Sequence, residues 1–427
     1  MPSFPSGTQD SSGERQRGGS VASTVMHLGA TRRLALLIAL STGALLSTAS
    51  SIGITPFLLD IARDLGTDLT AIANLVALQS AAWGVASLFA GMASDRWGRR
   101  PILALGLLLL GGTGIGIAVA QTYPWVAIWR IMGGFGGGAY MGAVFATVSD
   151  HVPAAQRGRS LGWVVTGQSF ALVLGVPLLT LIGAASGWRG AVVVHALVLL
   201  VTTLVVWLVV PHAAQHVKLA PLSTRAVVRL IGPRVLTLLL AGSAERVCYS
   251  ALAVFLPTYL LVRFGIDPTT LALGLGVVAM GNLIGNLLGG QLTDRVKVPQ
   301  LVVSASLALA GALAVPVLVW SPSVGVVVGL GFVYTLLNAA SRPALLTLLS
   351  HVSAEARGAV LGLNITFSSL GWLGATVLGG YVLAVAGFGG LAVLILLFGL
   401  AGAVLALLHW RWPQFSRARL TVATGER

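Results

Sequence analysis

Apolar residues dominate the chain in long unbroken runs, and polar residues cluster in the short gaps between them. A run of about 20 apolar residues crosses the roughly 30 Å hydrocarbon core of a bilayer as a helix. Only helices and closed barrels satisfy the backbone there, and these runs lack the period-2 alternation of barrel strands. The pattern predicts twelve helical spans: 34–58, 70–91, 101–120, 124–148, 161–184, 191–210, 235–262, 270–292, 301–320, 324–347, 359–385 and 391–410. They are numbered 1 to 12 below. The expected fold class is an all-α membrane protein of two six-helix bundles, residues 34–210 and 235–410. A linker, 211–234, carries Pro211, Pro221, Pro233 and four basic residues. Residues 1–33 read as a disordered tail rather than a signal peptide, because they lack apolar content. Residues 411–427 form a second tail.

Composition sharpens this reading. Of 427 residues, 56% are hydrophobic and only 9% charged, where a soluble domain carries about 25% charged residues. The net charge of +14 reads as membrane orientation rather than nucleic-acid binding. With the N-terminus cytoplasmic, only Arg63, Arg189 and Arg263 fall outside, and Arg130, Arg246 and Arg342 fall within spans. The remaining Lys and Arg lie inside, which is the positive-inside pattern. Both termini are then cytoplasmic.

The two halves repeat. "SDHVPAAQRGRSLGW" at 149–163 matches "LSHVSAEARGAVLGL" at 349–363, and "GMASDR" at 91–96 matches "GQLTDR" at 290–295. Parallel repeats of this kind place a solute site between halves that expose it alternately to each side.

The segment Gly91-Met-Ala-Ser-Asp95-Arg96-Trp-Gly98-Arg99-Arg100 resembles the loop-2–3 signature of the major facilitator superfamily, G-x-x-x-D-R-x-G-R-[KR]. A degenerate copy, Gly290, Asp294 and Arg295, follows span 8, with Lys297 in place of the second glycine. These residues are expected to form a cytoplasmic gate. Gly91 would admit span 11 closely, and Gly98 would permit a sharp turn. Arg96, Arg99 and Arg100 would reach Asp150 at the end of span 4. The resemblance implies that Asp95 meets the N-terminal end of span 11 near Ala359. "WRIMGGFGGG" from Trp129 resembles the family's span-4 arginine motif. Gly167, Gly175 and Pro177 in span 5 resemble part of its antiporter motif. The whole is similar to the drug- and sugar-efflux branch of proton antiporters.

Charges within spans need a reason, because each costs about 2.5–3.5 kcal/mol at a span centre on insertion scales. Glu245 is the one carboxylate deep in a predicted span, ten residues past Val235. It is the candidate proton-coupling group, the alternative being a structural pair. Arg246 adjoins it, but i,i+1 neighbours face apart on a helix. Arg130 would bind an anionic substrate, pair with Glu245 or snorkel. Ser47, Ser51 and Thr55 share a helix face at i, i+4, i+8, as do Tyr334, Asn338 and Arg342; Glu245 and Tyr249, and Asn282 and Asn286, are i, i+4 pairs. The resemblance implies that spans 1, 4, 7 and 10 surround a central cavity, and Ser51, Thr55, Arg130, Arg246, Tyr249, Asn282 and Asn338 are the candidate cavity set. Gly281, Gly285 and Gly289 read as a packing stripe, and His195 as structural.

No phosphate loop, dinucleotide fingerprint or metal-ligand cluster is present in the sequence, so no enzyme activity, cofactor or metal is expected. The implied function is export of a small organic solute by proton antiport. Proton-driven uptake and a non-transporting membrane sensor are the alternatives. The expected partners are a small-molecule substrate, protons and the lipid bilayer, with no nucleic acid, and the chain is expected to be a monomer.

Overall fold

A computed structural model describes residues 30–152, 154–211, 232–320, 322–350 and 357–411. Most of the two tails, most of the linker and the 351–356 part of the repeat lie outside these. Every regular element among the described residues is helical.

Span 1 is Ala30–Ile52, span 2 Leu69–Trp97, span 3 Arg99–Val119 and span 4 Tyr123–His151. Span 5 begins as Ala154–Phe170 and passes through a π-helical turn, Ala171–Gly175. The next helix, Val176–Val209, holds the end of span 5 and all of span 6. The second half repeats the order with Pro233–Phe264, Pro268–Arg295, Pro299–Leu318 and Val324–Ser350 as spans 7 to 10. Arg357–Arg411 holds spans 11 and 12.

Among the described residues, ten stretches are long and apolar enough to cross a bilayer, and two of them, Gly162–Val209 and Leu363–Trp410, run for 48 residues each. At 1.5 Å per residue each of these is about 70 Å long, enough for two crossings. Each breaks where a glycine takes positive φ: Gly187 at φ 72° and Gly387 at φ 62°. These stand 200 positions apart, so twelve crossings result and the repeat extends to the hairpin tips. Asp68 and Asp267, 199 apart, likewise cap spans 2 and 8, each accepting from backbone N–H groups.

Span 1 is shorter than the hydrophobic pattern predicts. Pro56 has no N–H and its ring clashes with the carbonyl four residues back. The α-helix ends at Ile52, and Thr55–Phe57 forms a 3₁₀ turn before a short helix, Leu58–Asp64. Thr55 therefore does not continue the face of Ser47 and Ser51. Pro177 similarly follows the π turn, which absorbs its missing donor.

The buried core falls into three parts. On the side away from the termini, one cluster joins both halves, from Phe57, Leu58 and Ile72 to Leu252, Phe255 and Val317. On the side that bears the termini, each half has its own core. One holds Leu40, Leu103 and Val148; the other holds Leu238, Val303 and Leu349. Among the described residues, the halves are thus joined at one end and separate at the other. At the joined end, Gly380 of span 11 lies against Ala73 and Thr70 of span 2, 3.5 Å from a built Cβ.

Gly281, Gly285 and Gly289 bear out their reading as a packing stripe. A Cβ on each would come within 2.2–2.4 Å of the Phe332, Leu336 and Ala340 carbonyls of span 10. Gly167 seats on span 1, with the Ser41 carbonyl 2.5 Å from a Cβ position, and Gly175 packs on Ala49.

Candidate functional site

The terminal-side charges assemble around Arg99. Only Gly98 separates spans 2 and 3, and it takes φ 94°, ψ 153°, a turn that other residues make only with strain. The turn swings Arg99 back. Its guanidinium bonds Asp150 at 2.7 Å, Asp95 at 2.6 Å and the Ser94 hydroxyl. Span 4 is thereby tied to the 2–3 turn. Arg100 lies over the Trp207 ring at 4.3 Å instead of reaching Asp150. Arg96 is exposed, and no ion pair to it exists among the described residues.

One expectation fails at this end. A Cβ on Gly91 or on Gly290 would meet nothing within 4 Å, so neither glycine admits a neighbouring helix. This follows from the separation of the halves on the terminal side. Asp95 pairs with Arg99 of its own segment; the side chains at the start of span 11, near Ala359, lie outside the described residues. Asp294 and Arg295 are exposed. The second turn needs no glycine because three residues, Val296–Val298, bridge spans 8 and 9 where Gly98 alone bridges spans 2 and 3. Val298 accordingly sits at φ −127°.

Arg130 is a correction. It is 2% exposed and sits inside the first bundle, not between the halves. Its guanidinium donates to the carbonyls of Ser50 at 2.9 Å, Ser51 at 3.0 Å and Leu75 at 3.4 Å. The first two are last-turn carbonyls of span 1, which have no partner within the helix. Arg130 caps that negative end and ties spans 1, 2 and 4 together. It does not pair with Glu245. Ser51 contributes its carbonyl to this cap, and Thr55 is buried in the 3₁₀ turn. A small cavity is lined by Arg130 together with Gln79, Thr113, Trp129 and His195. His195 Nε2 and both polar atoms of Gln79 are enclosed there without a partner among the described residues.

Glu245 is a second correction. The sequence reading set Arg246 facing away from it; instead the Arg246 side chain folds back and forks onto both carboxylate oxygens through Nε and Nη2. Both residues are buried in span 7. A bidentate fork is among the strongest charge-assisted contacts. Gly371 of span 11 makes the fit possible, since a Cβ there would lie 2.6 Å from Arg246 Cβ. The Arg246 guanidinium rests over the Tyr249 ring at 4.9 Å, and Tyr249 meets Trp372 edge-on at 6.0 Å. Arg342 of span 10 lies within electrostatic reach of Arg246, Glu245 and Tyr249. It is half-buried and has no hydrogen bond or ion pair among the described residues. Asn338, one turn along the same face, is fully enclosed, with Oδ1 and Nδ2 unpartnered among the described residues. Asn282 is buried and accepts from Asn286 Nδ2 through its backbone and side-chain oxygens, so it serves span 8 internally.

The sequence reading missed Trp372 and Gly371 because nothing local marks them. It noted Arg342 on the Tyr334–Asn338 face, and that spacing was the signal for it.

Two six-span bundles, joined at one end and carrying an ionic cluster buried among the spans, define a polytopic membrane protein. A family model described as Major Facilitator Superfamily matches residues 40–376 and 238–423, and the chain belongs to that superfamily. It is 30% identical over 157 residues to the uncharacterized MFS-type transporter YwfA of Bacillus subtilis (strain 168), covering 36% of this chain and 38% of YwfA. That match spans well under half of the relative's length. It is 26% identical over 311 residues to a chloramphenicol resistance protein of Streptomyces lividans, covering 70% of this chain and 76% of that protein. The fold is similar to that of a bacterial homolog of the human lysosomal transporter Spinster in an inward-facing, occupied conformation. The TM-score is 0.74 at 16% identity, over 91% of this chain and 100% of that one.

Proposed function

We propose that the chain exports a small organic solute across the cytoplasmic membrane by proton antiport with alternating access. The observation that carries this is the Glu245–Arg246 fork, buried within the membrane depth where spans 7, 10 and 11 meet. A proton on Glu245 cancels the fork and releases Arg246, so the charge state of one carboxylate alters what the site can hold. The terminal side, where the halves are separate, is the cytoplasmic side in this reading. The Arg99–Asp95–Asp150 cluster then belongs to a gate that is open in this conformation. Export is supported by the likeness to a chloramphenicol resistance protein over most of the chain. The chain acts as a monomer with both termini cytoplasmic.

The fork also favours a second reading. A solute that takes Arg246 for itself leaves Glu245 to bind a proton, and solute and proton then travel together, as in proton-driven uptake.

Proton movement in inside-out vesicles, acid inside, tests both. Under export, an added solute collapses the gradient with the wild type and not with Glu245→Gln. Under uptake, a solute preloaded in the lumen leaves with protons, again only with the wild type. Equal responses of the two proteins to an active solute would remove Glu245 from the coupling.

A further inference from the structure

We infer that the solute is an aromatic monocarboxylate, held by Arg342 and the free edge of Arg246 with its ring against Trp372 and Tyr249. The inference rests on the reading of this cluster as the transport site and holds for either direction of transport.

The charges do not balance. Two guanidiniums, Arg246 and Arg342, lie within electrostatic reach of one carboxylate, Glu245, and Glu245 is already committed to Arg246. One positive charge is left over within the membrane depth, where an unpaired charge is costly and is found facing a pathway or partner. Arg342 makes no hydrogen bond or ion pair among the described residues, and its surface is half-buried rather than fully enclosed. It is not locked to backbone carbonyls as Arg130 is. Arg246 uses Nε and Nη2 on Glu245, which leaves Nη1. A carboxylate between the two guanidiniums would relieve their repulsion and complete the charge count. A dianion would overshoot it, and a cation would add to the repulsion.

The rest of the site fits the body of such a solute. Trp372 is half-buried and meets Tyr249 at 76° between ring planes, which leaves aromatic surface beside the charged pair. Asn338 supplies an unpartnered amide on the Arg342 face, suited to a ring hydroxyl or to the second carboxylate oxygen.

Counterflow in liposomes, which needs no proton gradient, tests this. Benzoate, 4-hydroxybenzoate and indole-3-acetate are compared with benzamide, benzylamine and inorganic phosphate. The expected result is exchange of an aromatic carboxylate, not of the amide, amine or phosphate. Losing one charge-assisted hydrogen bond should cut exchange by about tenfold or more in Arg342→Gln, with partial recovery in Arg342→Lys. Exchange of benzylamine or benzamide, unchanged in Arg342→Gln, would overturn the inference and leave the transport reading standing. If no compound exchanges, thermal stabilisation of the purified protein decides the anion site, while the proton-movement assay decides the transport reading. A carboxylate that stabilises the wild type and not Arg342→Gln supports it, and no such stabilisation overturns it.

Discussion

The Arg130 guanidinium donates to the Ser50 carbonyl across 2.9 Å, holding span 4 against the end of span 1. Lysine carries the charge but not the planar fork that reaches Ser50, Ser51 and Leu75 together. Arg130→Lys should lower unfolding stability by about 2–3 kcal/mol, as expected for lost charge-assisted bonds. Thermal unfolding in detergent measures this, alongside counterflow with the aromatic carboxylates. A normal melting temperature with abolished exchange would restore Arg130 to the solute path.

Spans 8 and 10 touch through glycine. A Cβ at Gly285 would stand 2.2 Å from the Leu336 carbonyl, which is backbone and cannot swing aside. Gly285→Val should therefore yield no monodisperse protein in detergent size-exclusion chromatography. At Gly290, by contrast, a Cβ meets nothing within 4 Å, so Gly290→Ala should elute like the wild type.

Gly387 and Gly389 separate backbone strain from helix propensity. Gly387 sits at φ 62°, ψ −163°, a region close to glycine-only, and alanine there should cost about 1–3 kcal/mol. Gly389 lies in helix with open space around it, so alanine should stabilise by about 0.5–1 kcal/mol. Paired thermal melts would show opposite signs.

How far the sequence could be read depends on how local each cause is. The spans were legible because the bilayer demands long apolar runs wherever they lie. Gly98 was legible because two charged helix ends with one residue between them need a reversed turn. The Glu245–Arg246 fork was not, since helix spacing rules describe directions at Cβ and a long arginine can fold back past them. Two of Arg130's three partners, Ser50 and Ser51, were hidden because they are carbonyls of span 1, exposed only where Pro56 ends that helix. Nothing near Gly91 in sequence says whether span 11 is against it or withdrawn.

Asp267 gives a pH signature outside the membrane. Hydrogen bonds from the Thr270 hydroxyl at 2.6 Å and from the Thr270 and Thr269 N–H groups hold its carboxyl below the usual carboxylate range. A depressed folded-state value means that the stabilisation is fully present above the unfolded value, near 3.9, and is lost as pH falls through the folded one. Asp267→Ala should melt lower than the wild type at neutral pH, and the difference should close in acid. Melting curves across pH check this; a constant difference would show that the charge of the cap is irrelevant.

Thiol labelling reads the separation of the halves. Cys248 is fully buried and is the one native cysteine, so background is low. A cysteine at Gly91 should react with a charged maleimide much faster than one at Ala73, which is fully buried at the joined end. Equal rates would contradict the described arrangement.

The core that joins the two halves is almost wholly hydrocarbon, with Phe57, Ile72, Leu252 and Phe255 among its members. Prising it apart would wet those side chains, whereas parting the opposite ends has left each half with a sealed interior of its own. The latch at the joined end is therefore greasy rather than ionic. Added salt should scarcely loosen it through charge screening, because there is little charge to screen. Cooling should, because the tendency of apolar surface to avoid water weakens as temperature falls. In the proposed alternating-access cycle, the balance between its two states would then behave like a thermometer before it behaved like an electrometer.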